Sequence, residues 1–499
     1  MPKILNPYGN EWTPALLDNA YKTIEEIAVG EWGLDIYPNQ MEIIGSAQML
    51  EAYAHVGMPV MYNHWSFGKK FLGHERQYKR GHMGLAYEMI INSDPCISYL
   101  MEENTLTMQV LVTAHAAFGH NFFFKNNDIF RQWTMADFII EYLRFAKHYV
   151  QWCEEKYGLE EVERILDAAH ALQHYSVDKY QKRRKLKGED QERRNQRMDI
   201  AEQHYDPLVT PWIEYASNDK DEVSPVNDDL IEPTENILYF IEKSSPVLKS
   251  WQRELVRIVR HVGQYFWPQM QTQVMNEGTA TYCHHTLITE LDKRGLVDES
   301  FMMEFCRAHA GVVWQRDLAP LNNPYKLGWE IFKDIQRMCE QPTKEDEQWF
   351  PHIVGKPFMP IFKAAVRDFK DESFIQQFVS PKLIRDFGMM SIFDGGPNEE
   401  NYEVTAVSDD NGYEHIRSLM AEERDINTKL PRIEIVDVMR KQDSRLVLQH
   451  QMYRNRPIHK QEAHKTLQLM GRLWGHPIEL QSLDSNQVVK SKIVFTPDD

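Results

Sequence analysis

The chain has 499 residues, 42% of them hydrophobic and 11% aromatic, enough for packed cores in roughly two to four domains of about 150 residues each. Lys and Arg number 56 against 74 Asp and Glu, a net charge of −18, which argues against nonspecific binding to nucleic acid or to an anionic membrane. The five cysteines, Cys96, Cys153, Cys283, Cys306 and Cys339, are scattered without a C-x-x-C pair, so a disulfide framework or a cysteine-based zinc site is not expected and a reducing compartment is.

The opening MPKILNPYGNEWTP has no basic segment leading into an apolar one, and no apolar run reaches the length of about 18 residues needed to span a bilayer. A cytoplasmic location is expected. Residues 10–58 read as helices, with TPALLDNAYKTIEEIAVGEWGL opening on a Thr-Pro start. MPVMYNHWSFGKKF (58–71) breaks the pattern at Pro59 and Gly68. Helical spacing resumes at Gly84 in GLAYEMIINSDPC and stops near Pro95. SYLMEENTLTMQVLVTAHAAF (98–118) predicts a long helix that Gly119 is placed to end, and helices continue to about residue 177.

From 179 to about 233 the chain is charged, prolyl and poorly periodic, which predicts an exposed excursion. Its basic start, KYQKRRKLKGEDQERRNQRM, reads as a solvated segment, with a dock for an acidic partner as the sharper alternative. Helices return at 250–269 and 272–295 and run to about 385. The last hundred residues alternate β-rich segments (YEVTAVSD, PRIEIVDVMR, SRLVLQHQM, PIELQSLD, KSKIVFTP) with two helices. In the second helix Ala463, Leu467, Met470 and Trp474 form one apolar stripe. The expectation is a mainly α protein: a large helical domain over 1–385, then a small C-terminal α+β domain over 400–499 with the ferredoxin-like order β-α-β-β-α-β and one extra strand.

There is no Walker-type phosphate loop, no G-x-S-x-G elbow, no H-E-x-x-H and no pair of E-x-x-H helices. The DFG at 386–388 stands without the other kinase motifs and is a coincidence. What remains are three stretches that embed ionisable groups in apolar sequence: NHWSFGKKF, with His64 and Lys69; LAYEMIINSDPC through AHAAFGHNFFFKNN, with Glu88, His115 and His120; and VMNEGTATYCHH, with Asn276, Glu277, His284 and His285. His115 and His120 cannot share one face of a regular α-helix, since five residues turn it by about 500°. A helix that ends at Gly119 would let both converge on a glutamate from a later helix. Glu277 is that candidate, because a buried carboxylate needs a cation or hydrogen bonds.

Glu277 and His284 fall on one helix face two turns apart, about 10.5 Å of rise, so one binding a metal and the other acting one layer out is easier than both binding the same ion. The metal set is therefore His115, His120 and Glu277, with His284 or Glu88 as general base or supporting group. Histidine and carboxylate donors in a water-poor setting suit zinc, iron or manganese. Against this stands the plainer reading for each residue: a hydrogen-bonded polar group that holds helices together, with Phe122–Phe124 as core and His64 in a packed corner beside Trp65.

HWSFGKKF, GLAYEMIINSDPCISYLMEEN, AHAAFGHNFFFKNN, QYFWPQMQTQVMNEGTATYCHH and LMGRLWGHPIELQSLD, in this order, resemble the SpoVR family, named for a stage V sporulation protein. The resemblance spans nearly the whole chain. The family has a tryptophan where this chain has Thr279, a departure that bears on packing near Glu277. The resemblance implies a bacterial cytoplasmic protein, associated with spore-cortex formation in spore-formers and, in non-sporulating proteobacteria, with a PrkA-type serine kinase and a von Willebrand A-like protein in stress and stationary-phase responses. The long form with the basic insert is of the proteobacterial kind. It implies no defined reaction, so a regulatory or scaffold role stands beside a metal-dependent, hydrolytic one. AHAAFGH followed by NEGTA also resembles, distantly, the gluzincin metallopeptidases, but Ala116 replaces their catalytic glutamate and the histidines are five apart, which disfavours a peptidase of that type.

Overall fold

The computed structural model describes residues 11–54, 58, 61–67, 69, 72, 88–177, 179, 234–314, 323–388, 392–394, 402–404, 410–439 and 443–497. The excursion expected at 179–233, and with it the basic run, lies outside the described residues apart from Lys179. The chain is mainly α with a C-terminal α+β part, and it forms two compact units from interleaved segments. One draws on 1–59, 68–139 and 268–425, the other on 60–67, 140–267 and 426–499. Helical sequence before residue 385 thus contributes to both.

In the first unit, helix α1 (Pro14–Glu25) starts behind Thr13, whose Oγ1 accepts from the Leu16 N–H at 3.3 Å, with proline at the first helical position. A small mixed sheet follows. Strand β1 (Asn39–Ile44) runs parallel to β3 (Cys96–Met101), and β2 (Glu88–Ile91) pairs antiparallel with β3, Glu88 standing opposite Leu100. These strands replace helix expected at 39–44, 88–91 and 98–101. EMII and CISYLM are β-branched and aromatic runs separated by Asn-Ser-Asp-Pro, so strand preference and turn chemistry outweigh a short stretch of helix-like spacing. The expected long helix accordingly begins later. Helix α2 (Leu106–Thr113) starts behind Thr105, whose Oγ1 accepts from the Met108 N–H at 3.2 Å.

The same unit contains helices α3 (Asn121–Asn126), α4 (Gln273–Lys293), α5 (Glu299–Val313) and α6 (Pro324–Glu340). Phe122, Phe123 and Phe124 are buried in its core together with Phe118, Phe332 and Phe362. Helix α4 begins on a cap from a distant segment: the two carboxylate oxygens of Asp371 accept from the Val274 and Met275 N–H groups, both at 2.9 Å. That anchor fixes the first turns of α4, where Asn276 and Glu277 lie.

The second unit pairs helices with a four-stranded sheet, β6 (Arg432–Met439), β7 (Arg445–Gln451), β8 (Ile478–Leu483) and β9 (Val489–Phe495), in that spatial order. β7 and β8 are parallel, joined by the helix Lys460–Trp474, and the outer pairs are antiparallel. The predicted stripe Ala463, Leu467, Met470 and Trp474 is buried. The β-β-α-β part of the expected order and the extra strand form this sheet, whereas YEV (β5, Tyr402–Val404) pairs instead with the nearby β4 (Ile392–Asp394). Glu242, fully buried, is bound by Arg257 and Arg260, each through Nε at 2.8 Å.

Candidate metal centre

Three elements supply the site. β2 opens on Glu88, α2 runs into a π-helical turn over Ala114–His120, and α4 carries Asn276 and Glu277 near its start. The π turn accounts for the five-residue spacing of the histidines. Its hydrogen bonds reach the carbonyl five residues back, as from the Asn121 N–H to the Ala116 carbonyl, so residues i and i+5 come to one face. The helix does not end at Gly119 as expected; it widens there and continues directly into α3. His115 and His120 end up with ring centroids 4.6 Å apart.

Gly119 is required for a different reason. A Cβ at this position would lie 2.5 Å from the Ala280 Cα, so glycine is what lets the π turn lie against α4. Asn39 steadies the turn from the sheet side, its Nδ2 donating to the Ala117 carbonyl at 3.1 Å, and Asn121 Nδ2 donates to Asn39 Oδ1 at 2.8 Å.

The side chains converge. His115 Nε2 lies 3.3 Å from Glu88 Oε1 and 3.7 Å from Glu277 Oε2, and His120 Nε2 lies 3.5 Å from the same Glu277 oxygen. Ligand atoms of Glu88, His115 and His120 all fall within 4.8 Å of one another. Donors held about 2.1 Å from a tetrahedral ion stand about 3.4 Å apart, so the observed separations suit a zinc-sized cation. Glu88 Oε2 and Glu277 Oε2 are buried without a hydrogen bond of normal geometry, the expected state of oxygens arranged for a cation. The His115 and His120 side chains are 7% and 6% exposed while those of Glu88 and Glu277 are 15% and 20% exposed, so the carboxylates form the side that solvent reaches.

The free ring nitrogens are held from behind. Asn276 Oδ1 is 2.9 Å from His120 Nδ1 and accepts its proton, which leaves His120 Nε2 as a lone pair facing Glu277. His115 Nδ1 lies 2.8 Å from His284 Nδ1, and His284 Nε2 lies 2.9 Å from His309 Nδ1. Tyr325 donates a hydrogen bond to the Glu277 carboxylate.

Burial pushes the Glu88 carboxyl up to about 7, with Glu277 adding to the shift and His115 opposing it. For Glu277 burial acts in the same direction but is outweighed by His120, His115 and Tyr325, leaving it below its ordinary value. Burial disfavours the charged form of His115, yet Glu88 and Glu277 overcome this and raise it. His120 is pushed down to about 4 by burial, against the pull of Glu277, and His284 falls well below its usual range through burial and its neighbouring histidines. His115 thus faces two carboxyl groups that raise its affinity for a proton, and a divalent cation bound there would take that proton's place.

Of the residues singled out in the sequence, Glu88, His115, His120 and Glu277 meet in one cluster, and His284 lies behind His115. Glu88, expected as a general base or supporting group, lies within the cluster, with Oε1 3.3 Å from His115 Nε2. His64 is elsewhere, in the second unit, where its Nδ1 is 2.7 Å from Ser66 Oγ and its Nε2 3.2 Å from Asp167. Sequence reasoning missed His309, alone in EFCRAHAG, and Tyr325; neither sits in a motif, and only the packing of α6 against α4 and of α5 against α2 and α6 brings them in.

The model of the family described as SpoVR like protein matches residues 11–429, and that of the SpoVR-like C-terminal domain matches residues 431–485. The chain belongs to the SpoVR family. It is 46% identical over 483 residues to "Uncharacterized protein YcgB" of Escherichia coli (strain K12), covering 95% of this chain and 93% of that relative. The match to the SpoVR family models includes every residue of the cluster. No solved structure matches. Among the described residues, no helix is long and apolar enough to cross a membrane.

Proposed function

We propose that this SpoVR-family protein is a metal-dependent enzyme of hydrolytic type, with His115, His120, Glu277 and Glu88 as the ligand set for zinc, iron or manganese. The observation that carries the reading is the convergence of Glu88, His115 and His120 from a strand and a π turn, joined by Glu277 from a helix, whose buried Oε2 without a hydrogen bond lies 3.7 Å from His115 Nε2 and 3.5 Å from His120 Nε2. When bound, the cation supplies Lewis-acid activation of a water or of a substrate oxygen.

The chain's own groups have separable tasks. Asn276 and His284 orient the two imidazoles, and Tyr325 holds one side of Glu277. In the metal-free cluster burial raises the Glu88 carboxyl to about 7, so binding a cation there displaces a proton from it near neutral pH. Metal analysis of the purified protein, then of His115→Ala and Glu277→Gln, tests the reading; equally negligible metal in all three contradicts it.

The proposed setting is the bacterial cytoplasm, in stress and stationary-phase responses, or cortex formation in spore-formers. A second reading is a scaffold acting with a PrkA-type serine kinase and a von Willebrand A-like protein. It draws support from an open depression of about 490 Å³ on the second unit, lined by Lys460, His464, Lys465 and Lys492, which suits an acidic partner. Pull-down with a Lys460→Glu, Lys465→Glu variant as control tests it.

A further inference from the structure

His309 touches none of the four clustered ligands. We infer that it is nevertheless a positioning residue for His115, acting through His284 by fixing which ring nitrogen carries the proton. The inference rests on the metal reading and names one further part of that site.

Hydrogen-bond direction is fixed along three rings. His115 Nε2 faces Glu88 and Glu277, so in the metal-binding form that nitrogen must offer its lone pair and the ring proton sits on Nδ1. Nδ1 of His115 then donates across 2.8 Å to His284 Nδ1. An imidazole that accepts at Nδ1 carries its proton on Nε2, and His284 Nε2 lies 2.9 Å from His309 Nδ1, which accepts in turn. Each bond dictates the next once His115 is a ligand, and the chain ends with the His309 proton on Nε2, which is buried without a hydrogen bond in a ring set edge-on to Trp329.

His284 is completely buried, and among the described residues its Nε2 has no other hydrogen-bond partner, so loss of the His309 acceptor leaves a buried N–H unpaired. The remedy open to His284 is to move its proton to Nδ1, opposite the Nδ1 proton of His115. Two donors would then face each other, and relief requires His115 to carry its proton on Nε2, the nitrogen the metal needs. His309 prevents this. Its ring is itself held, 4.6 Å from Trp329 and 4.8 Å from His285 between centroids, and it stacks on Phe305 at 5.8 Å. α5 contributes His309 and α4 contributes His284, so the packing of α5 on the core is coupled to the electronic state of a ligand on the π turn.

The test is zinc affinity, measured by competition with a chromophoric chelator, on the full chain and on His309→Phe and His309→Gln. The phenyl ring fills the space and removes the acceptor, whereas the glutamine carbonyl can still accept from His284 Nε2. The expected result is 10- to 100-fold weaker zinc binding for His309→Phe, a range typical for lost outer partners of metal-bound histidines, with recovery toward the parent value in His309→Gln. Equal affinity in all three proteins would overturn the positioning role while leaving the metal reading intact. No zinc binding by the parent chain would overturn both. Should His309→Phe fail to fold, nitrogen NMR of the zinc-loaded parent decides: a proton on Nε2 of His284 supports the inference, and one on Nδ1 refutes it.

Discussion

His115 and His120 face each other at a ring separation of 4.6 Å because the helix that carries them widens into a π turn between them. In a regular α-helix the second ring would point away by a large part of a turn. The widened turn costs some backbone regularity, and such turns are commonly found at functional sites. Here it delivers two imidazoles to one side, where β2 and α4 each add a carboxylate.

Gly119→Ala tests whether that local geometry depends on the close approach to α4. The added methyl would meet the Ala280 backbone at 2.5 Å, so the helices must separate. A loss of roughly 1–3 kcal/mol is expected in chemical denaturation, together with reduced metal retention. Gly311→Ala is the control: it is an exposed helical glycine with nothing within 4 Å of the added carbon, and it should be neutral or slightly stabilising.

Asp371→Ala tests how the start of α4 is anchored. It removes both acceptors for the Val274 and Met275 N–H groups and should cost about 1–2 kcal/mol, as loss of a helix cap does. Because Asn276 and Glu277 follow directly, metal affinity should fall more than for an exposed cap. Asp298→Ala, which removes the cap on the Phe301 N–H at the start of α5, provides that comparison by isothermal titration.

In the metal-free protein the stability that His120 and His309 contribute should fall as pH drops from about 6.5 toward 4, opposed over the same window by Glu88 and His115, whose raised values favour protonation in the folded state. His120 and His309 are both pushed down to about 4 by burial, so the unfolded chain binds protons that the folded one refuses. Their contribution is complete above the unfolded value of about 6.5 and lost on acidification, on the order of 3 kcal/mol for each histidine. Urea midpoints across this range measure it. His309→Phe should flatten the dependence, and an unchanged slope would contradict the assignment.

Glu242→Gln addresses the second unit by itself. Removing one buried charge strands Arg260 and leaves Arg257 to Glu254 alone, which should cost about 3–5 kcal/mol and lower the thermal midpoint. The two guanidiniums hold the Glu242 carboxyl well below its ordinary value despite burial, so its stabilisation is present above about 4.3 and disappears as pH drops through the folded value.

Much of the helical fold was legible in the sequence, because amphipathic spacing and caps such as Thr13-Pro14 are local. The strands at 39–44, 88–91 and 96–101 were not, since segments of four to six residues fit a helix or a strand equally well and the sheet is assembled across long separations. For the site, polar residues in apolar sequence marked His115, His120, Glu277 and Glu88. Spacing alone pointed to a helix break at Gly119, whereas the structure resolves the same spacing with a π turn, a device without a sequence signature of its own. His309 was invisible because its significance lies in a hydrogen bond made 25 residues away in the chain.

The central claim is that these four side chains hold a metal. Inductively coupled plasma mass spectrometry on the purified full chain, beside Glu277→Gln and His115→Ala shown to be folded by circular dichroism, tests it most directly. The account requires close to one equivalent of zinc, iron or manganese in the parent protein and a marked loss in both variants. Metal absent from the parent after reconstitution, or retained undiminished in both variants, would contradict it.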